Sequence, residues 1–504
     1  MKFNTKKQKQ HIANHEGAKA WALSPELELY TAVVTASLSA QFYQKEVDRL
    51  ERIRQLMQQV APEFVAQLAV YCREQMHLRS IPVVLTVELA RIGAPDGLLR
   101  QTAARIIQRA DEITEMLAYY QLANSREGEK KLNKLSKQLQ KGIAVAFNKF
   151  DEYQFAKYNR DTGVSLRDAL FLTHPRPATT AQQELFDKIA KETLEVPYTW
   201  EVEMSRLGQQ DFASEEEKQV AFALKWDELI MSGRLGYMAM LRNLRNFLQS
   251  GIRDEALIRV AMTLGDPAQV RKSKQLPVRF LAAWREVRHF GSGRAGILME
   301  SLESALRASA ENIAGFDLNT RILLAADTSG SMCHPISPRS SVQYYDIGLM
   351  LSMLLHSRCQ HVVTGIFGDY WKREQLPAKS ILNNVENLRR LMGEVGYSTN
   401  AYLVIRDLIE RKEVIDKVMI FTDMQLWDSH GDSHINEEWA YYKQQVAPEA
   451  KLYIFDLAGY GHAPLRMAQP DVFLIAGWSD KVFEVLAAIE NGSDAIGVIK
   501  EIAL

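Results

Sequence analysis

No stretch of this chain reaches the about 18 consecutive apolar residues that a membrane-spanning helix requires, so no membrane partner is expected. Cysteine is scarce. Cys72, Cys333 and Cys359 are the three present, widely spaced and without a C-x-x-C pair. That excludes a disulfide framework and a cysteine-based zinc site, and makes a reducing cytoplasm the expected compartment. Neither sign of charge is in excess: 61 Lys and Arg stand against 62 Asp and Glu, a net −1. Any affinity for a polyanion must therefore come from a local basic patch and not from the overall field. The basic start, Met1 to Lys9, is not followed by an apolar run before Asn14, so it does not read as a secretory signal. Missing too are a P-loop, a Rossmann glycine fingerprint and H-E-x-x-H. With no distinctive general base either, the expectation is a non-catalytic protein.

What is present is ordinary globular material. At 504 residues, 47% hydrophobic and 24% charged, the chain should fold throughout and exceeds the span of one hydrophobic core. From Ser24 to about Ala310 apolar residues recur at helical spacing, as in Val65, Leu68, Ala69 and Cys72, or Leu98, Ala103, Ile106 and Ile107. Short breaks punctuate the helices at Ile81-Pro82, at 93–97, at 174–177 and at 265–267, and Ser24-Pro25 marks a start with a capping serine and a proline in first position. Helix pairs at irregular spacing predict a HEAT-like α-solenoid, although no strict repeat is visible.

After Asp317 the texture changes. Short apolar runs at 322–326, 362–367, 418–421, 452–455 and 472–475 alternate with helical segments at about 344–359, 400–411, 436–445 and 480–490. This alternation predicts a parallel sheet covered by helices on both faces, with ligands outside the carboxyl ends of its strands. The domains are accordingly placed at 1–316 and 317–504.

Directly after the first of these strands stands Asp327-Thr328-Ser329-Gly330-Ser331, a D-x-S-x-S pattern. Alternate residues of an extended turn point the same way, so one carboxylate and two hydroxyls converge on one hard cation, with Gly330 allowing the bend. Gly396-Tyr397-Ser398-Thr399-Asn400 precedes a helix and offers Thr399, while Phe421-Thr422-Asp423 ends a strand and offers Asp423. Few protein ligands and an open position suit Mg²⁺ or Mn²⁺ and an acidic group from a partner. The order of the three segments resembles the metal-ion-dependent adhesion site of von Willebrand factor A domains. Relatives there carry Gly-Gly-Thr in the central loop, so either Ser398 or Thr399 is the ligand. Ser329 stands where dehalogenase-like phosphatases need a second aspartate, and ion-pumping ATPases need membrane helices, so phosphoryl transfer through Asp327 is not expected. His430 and His434 are four apart but lie among Ser429, Gly431, Asp432 and Ser433, which reads as loop and not as a zinc pair.

Lys130, Lys134, Lys137 and Lys141 recur at helical spacing in a stretch without acidic residues. Lys149, Lys157, Tyr158, Arg160, Arg167, His174 and Arg176 extend the charge with an aromatic interleaved. Such a track follows phosphates and offers the Tyr158 ring for stacking, yet a solvated helix face has the same appearance. The segments 14–17, 73–82, Lys157-Tyr158, 165–168, 172–177 and 241–244 are similar to the signature segments of the TROVE module. With a von Willebrand A-type domain following, the whole chain resembles the Ro autoantigen family, in its bacterial form.

The resemblance implies HEAT-like helical repeats closed into a ring by the α/β, doubly wound von Willebrand factor A domain, in a monomeric protein. It implies binding of noncoding Y RNA on an outer basic surface around Lys157, Arg160 and Arg167, with 3′ ends of misfolded or damaged RNA in a central hole and Arg242 and Asn243 as inner contacts. It also implies a role in RNA quality control and the stress response, with an exoribonuclease as a partner. Leu166 stands where relatives often carry histidine. His77 and Arg79 serve equally as RNA contacts or as structural hydrogen-bonding groups between repeats. A metal-dependent protein-interaction scaffold is the alternative reading.

Overall fold

The computed structural model describes residues 11–14, 19–36, 45–95, 97–124, 135–159, 163–311, 313, 319–337, 340–427, 434–465, 469–479, 481–492 and 494–504. The chain divides into two compact units. One comprises residues 1–53, 240–248 and 257–496, the other 54–239, 249–256 and 497–504.

Among the described residues the first unit contains nine strands: β1 (His11–Ala13), β2 (Lys19–Ala22), β3 (Arg321–Asp327), β4 (His361–Phe367), β5 (Trp371–Glu374), β6 (Lys417–Thr422), β7 (Lys451–Asp456), β8 (His462–Ala463) and β9 (Val472–Ala476). Six of them form a sheet in the order β5-β4-β3-β6-β7-β9, parallel except for β5. Apart from Arg321, β3 is buried along its length, and β6 is buried throughout, because helices cover both faces. On one face Leu323, Val418, Ile420, Leu452 and Ile454 pack with the helices Tyr402–Arg411 and Ile435–Gln445. On the other lies the helix Tyr344–Arg358, buried from Tyr344 to His356. Its Gly348 lets it approach closely: a Cβ there would stand 3.2 Å from both Leu457 Cδ1 and Phe421 Cβ.

The five parallel strands and the four helices expected with them, three between strands and Val482–Glu490 after the last, lie where the periodicity places them. Three features were not read from the sequence. The antiparallel β5 follows β4 through a tight connection, and the helix Ile381–Arg390 lies in the stretch after it. A small sheet, β1-β2-β8, pairs Trp21 with Ala463. Residues 1–53 thus belong by packing with the α/β part: Tyr30 Oη donates to Ala476 O at 3.1 Å, and buried Arg49 donates to Thr35 Oγ1 at 2.9 Å and to Ala458 O. The sequence boundary near 316 marks where the chain enters the sheet, whereas compactness follows these long-range pairings.

Two helices of the same unit, Pro277–Arg288 and Gly293–Ala310, are fastened to the sheet's covering helices by charge. Arg285 forks onto Asp346 at 2.6 and 2.9 Å and reaches Glu386 Oε1 at 2.7 Å. Glu303 accepts from Leu382 N at 3.0 Å, capping the helix Ile381–Arg390.

The second unit is helical. Pro62–Glu74, Ser80–Ile92, Leu98–Ile106, Asp111–Ala123 and Lys137–Ala146 each pack on a neighbour or the next helix but one, as stacked helical repeats do. A buried pair fixes the register: Arg73 Nη2 reaches both Glu112 oxygens, at 2.8 and 3.1 Å, and its Nε donates to Ile106 O. Glu112 Oε2 also accepts from the backbone of Gln108 and Arg109, so both carboxylate oxygens are partnered. Arg79 pairs with Asp111 at 3.0 Å, and His77 adopts a left-handed φ of 55°.

Candidate metal centre and nucleic-acid interface

At the carboxyl edge of the large sheet β3 ends on Asp327, which is fully buried. Its Oδ1 accepts from Ser329 N at 2.8 Å and its Oδ2 from Thr422 Oγ1 at 2.6 Å. The Ser329 and Ser331 hydroxyls stand 3.4 Å apart. The central loop is drawn in by backbone bonds: Gly330 N donates to Tyr397 O at 3.0 Å and Trp427 N to Thr399 O at 3.2 Å. Gly396 is required there, since its φ is 76° and a Cβ would collide with Asp369. Asp369 in turn accepts from Ser398 N, leaving Ser398 half-buried and Thr399 buried. The structure thus brings together the three segments that carry Asp327, Ser329, Ser331, Thr399 and Asp423.

Asp423 is also buried. Its Oδ1 accepts from Gln425 N at 3.1 Å, while its Oδ2 has no hydrogen-bond partner among the described residues. Burial, reinforced by the Asp327 charge, pushes the Asp423 carboxyl well above the usual carboxylate range, and burial raises Asp327 as well. A third buried carboxyl, Asp456, sits beside Thr422 in the β6–β7 register, with Oδ1 held by Ala458 N and Gly459 N. The sequence reading missed Thr422 and Asp456, although both end strands at this edge.

The donor set fits a hard divalent cation. An unpartnered buried carboxylate oxygen costs free energy that a cation recovers. Two hydroxyls 3.4 Å apart come near the about 3 Å between neighbouring oxygens of an octahedron with metal–oxygen distances near 2.1 Å. Among the described residues no three His, Cys, Asp or Glu side chains gather to bind a metal, so the site depends on its hydroxyls.

The second site is a surface of the helical unit. The helix Lys137–Ala146 is capped by Ser136, and its Gly142 lies so close to Leu98–Ile106 that a Cβ would meet Ala103 Cβ and Arg100 O at 2.7 Å. Gln140 Nε2 donates to Leu172 O at 2.7 Å, and Asn148 clamps the loop after the helix Leu166–Thr173 by donating to Arg176 O and accepting from Ala178 N. These bonds join the elements that present Lys137, Lys141, Arg167, His174 and Arg176, all exposed. Phe147 packs on Phe155, tying in the helix Glu152–Tyr158 with its exposed Lys157.

The acidic residues described in this region are engaged. Asp151 and Asp168 complete capping boxes at the starts of their helices, and Glu152 pairs with Lys188 at 2.6 Å. Arg167 pairs with Glu192 at 3.2 Å, but both are so exposed that the pair is easily exchanged for another anion.

Other residues singled out by sequence stand differently. Lys149 is exposed, yet its ammonium is tied to Ile107 O at 2.9 Å and to Ala104 O, and partial desolvation there lowers its pKa from the ordinary value. It anchors the framework and does not present a free charge. Tyr158 is half-buried, with the Arg109 guanidinium 4.3 Å from its ring centroid, so one ring face is taken. Asn243 is 2% exposed and accepts from Asn246 Nδ2 at 2.8 Å; it offers no accessible contact, whereas Arg242 beside it is exposed. Lys130, Lys134, Arg160 and His430 lie outside the described residues.

The family model described as TROVE domain matches residues 4–225 and 192–292, and the Ro60 vWA domain matches 321–489. Telomerase protein component 1 of Rattus norvegicus is 25% identical over 359 residues, covering 55% of this chain and 13% of that protein. Its Mus musculus counterpart is 26% identical over 341 residues, covering 52% and 12%. The chain therefore spans about an eighth of the length of these curated relatives. The crystal structure of the Deinococcus radiodurans Ro (RSR) protein aligns over 93% of this chain and 100% of that one, with a TM-score of 0.58 at 18% identity, a likeness of fold. With TROVE matches running from residue 4 to residue 292 and a Ro-type von Willebrand A domain after them, this chain belongs to the Ro family of RNA-binding proteins.

Proposed function

We propose that the protein is a non-catalytic binder of structured noncoding RNA, of the Y RNA class, held on the exposed cationic surface between Lys137 and Arg176. The observation that carries this reading is the sorting of charge there. The described acidic side chains are engaged in caps or pairs, while Lys137, Lys141, Lys157, Arg167 and Arg176 face solvent on elements fixed to one another. Neutralising phosphates with such cations releases counterions and supplies most of the binding free energy. Family membership supports the finer reading, in which single-stranded 3′ ends of misfolded RNA enter the hole of a ring and the protein serves RNA quality control in the cytoplasm.

The sheet edge completes the proposal. Asp327, Ser329, Ser331, Thr399 and Asp423 would hold Mg²⁺ or Mn²⁺. The bound ion would supply an open coordination position for an acidic group of a protein partner, such as an exoribonuclease. The residues themselves orient the carboxylates: Thr422 Oγ1 and Ser329 N donate to Asp327, and Gln425 N donates to Asp423.

The test is binding of one structured RNA with and without a single-stranded 3′ tail, at near-physiological salt. Tight binding of the structured body, increased by the tail, is expected. No binding of either would leave the metal-dependent protein-interaction scaffold as the better account.

A further inference from the structure

The solvent face of the helix Leu166–Thr173 is not simply polar. Leu166, Ala169, Leu170 and Thr173 are buried, and the opposite stripe reads Arg167, Phe171 and His174, spaced four and three residues apart. Phe171 is 53% exposed, and the Arg167 guanidinium carbon lies 5.9 Å from its ring centroid. His174 ends the helix in a left-handed conformation and is itself exposed. A second open ring lies on the helix Glu152–Tyr158. Tyr153 is 46% exposed, with the Lys157 ammonium 5.7 Å from its centroid. Each of these exposed rings has a cation over it at 5.9 and 5.7 Å, farther out than the 4.3 Å of Arg109 over the half-buried Tyr158, within the surface assigned above to RNA.

We propose that Phe171, with Tyr153 as a second platform, stacks unpaired bases of the bound RNA, so that this surface selects RNAs with accessible unpaired bases over uninterrupted duplex. The inference rests on the RNA-binding reading of the same surface and deepens it by naming the recognised element. Cations alone follow phosphates and do not distinguish paired from unpaired strands. An aromatic face does, because a base within a helix is already stacked on its neighbours, whereas a looped or bulged base gains free energy on a ring. The geometry favours these rings over Tyr158, whose face is taken by Arg109, itself held by Asp111 at 2.9 and 3.1 Å. Arg167 beside Phe171 and Lys157 beside Tyr153 are placed to meet the phosphates flanking a stacked base. The sequence hides Phe171 because a phenylalanine within a helical segment is ordinarily counted with the core.

The experiment compares Phe171→Ala, Phe171→Trp and Tyr153→Ala in the full chain against two RNAs: a blunt duplex, and the same duplex interrupted by an unpaired loop. Loss of one stacked base should weaken binding of the looped RNA by about five- to hundredfold. Blunt-duplex affinity and the salt dependence should stay unchanged, and Phe171→Trp should retain the looped-RNA affinity. Circular dichroism and melting are expected to match the parent, since both side chains lie largely outside the core. Equal loss on both RNAs, or no loss on the looped one, would overturn the stacking assignment. If the unmodified protein bound neither RNA, the RNA-binding reading itself would fail, an outcome separate from these.

Discussion

The two candidate sites hold charge in opposite ways. Along residues 137–176 cations stand in water on a fixed frame, each screened, and their effect on a polyanion accumulates with number. At the carboxyl edge of the sheet Asp327 and Asp423 are buried close enough for the charge of one to raise the other, so that a single proton or cation would decide their state. A surface of the first kind tolerates loss of any one member, whereas a site of the second kind does not.

The largest effect is expected where a buried charge loses its partner. Arg285→Ala leaves the buried Asp346 without its cation and Glu386 with only Arg288 and Arg389, and should cost about 3–5 kcal/mol of stability. Denaturant unfolding measures it, and a loss below about 1 kcal/mol would mean that the buried network is solvated after all. Next comes the surface: Lys157→Glu, Arg167→Glu and Arg176→Glu together should reduce RNA affinity about a hundredfold or more and flatten its salt dependence, with an unchanged melting temperature. Filter binding at several salt concentrations reports both quantities.

A smaller effect separates the sites by pH. Asp423 has its carboxyl raised by burial, so the metal-free native state binds more protons than the unfolded chain. Its stability should therefore fall as pH rises above the ordinary carboxylate range. Mg²⁺ requires the ionised form, so the rise in melting temperature on adding Mg²⁺ should grow over the same range. Asp423→Asn should stabilise the metal-free protein by about 1–2 kcal/mol near neutral pH and remove the Mg²⁺ response. A wild-type-like Mg²⁺ shift in that variant would contradict the metal assignment. Smallest of all, Lys141→Ala should weaken RNA binding only about threefold and lower the salt slope by about one.

Much of this was legible in the sequence because it rests on local pattern. The five apolar runs from 322 to 475 are parallel strands, since both faces of a parallel sheet are buried and the runs need no alternation. Asp327, Ser329 and Ser331 follow the first strand in one turn, and Ser24-Pro25 starts its helix with Ser24 Oγ accepting from Leu27 N. What escaped depends on distant partners. The strands of the β1-β2-β8 sheet are three, four and two residues long, too short to show a period, and β2 meets β8 more than 400 residues along the chain. β5 reads Trp-Lys-Arg-Glu, a polar edge strand without an apolar run. Likewise the tethering of Lys149, the burial of Asn243 and the openness of Phe171 are set by packing that no spacing rule contains.

The central claim is that RNA lies on the cationic surface of the helical unit. The most direct measurement is ultraviolet crosslinking of a bound structured RNA to the intact protein, with the modified peptides identified by mass spectrometry. The account expects crosslinks within residues 137–176, including the peptides that carry Tyr153 and Phe171. Crosslinks confined to peptides elsewhere in the chain, with none in that span, would contradict it.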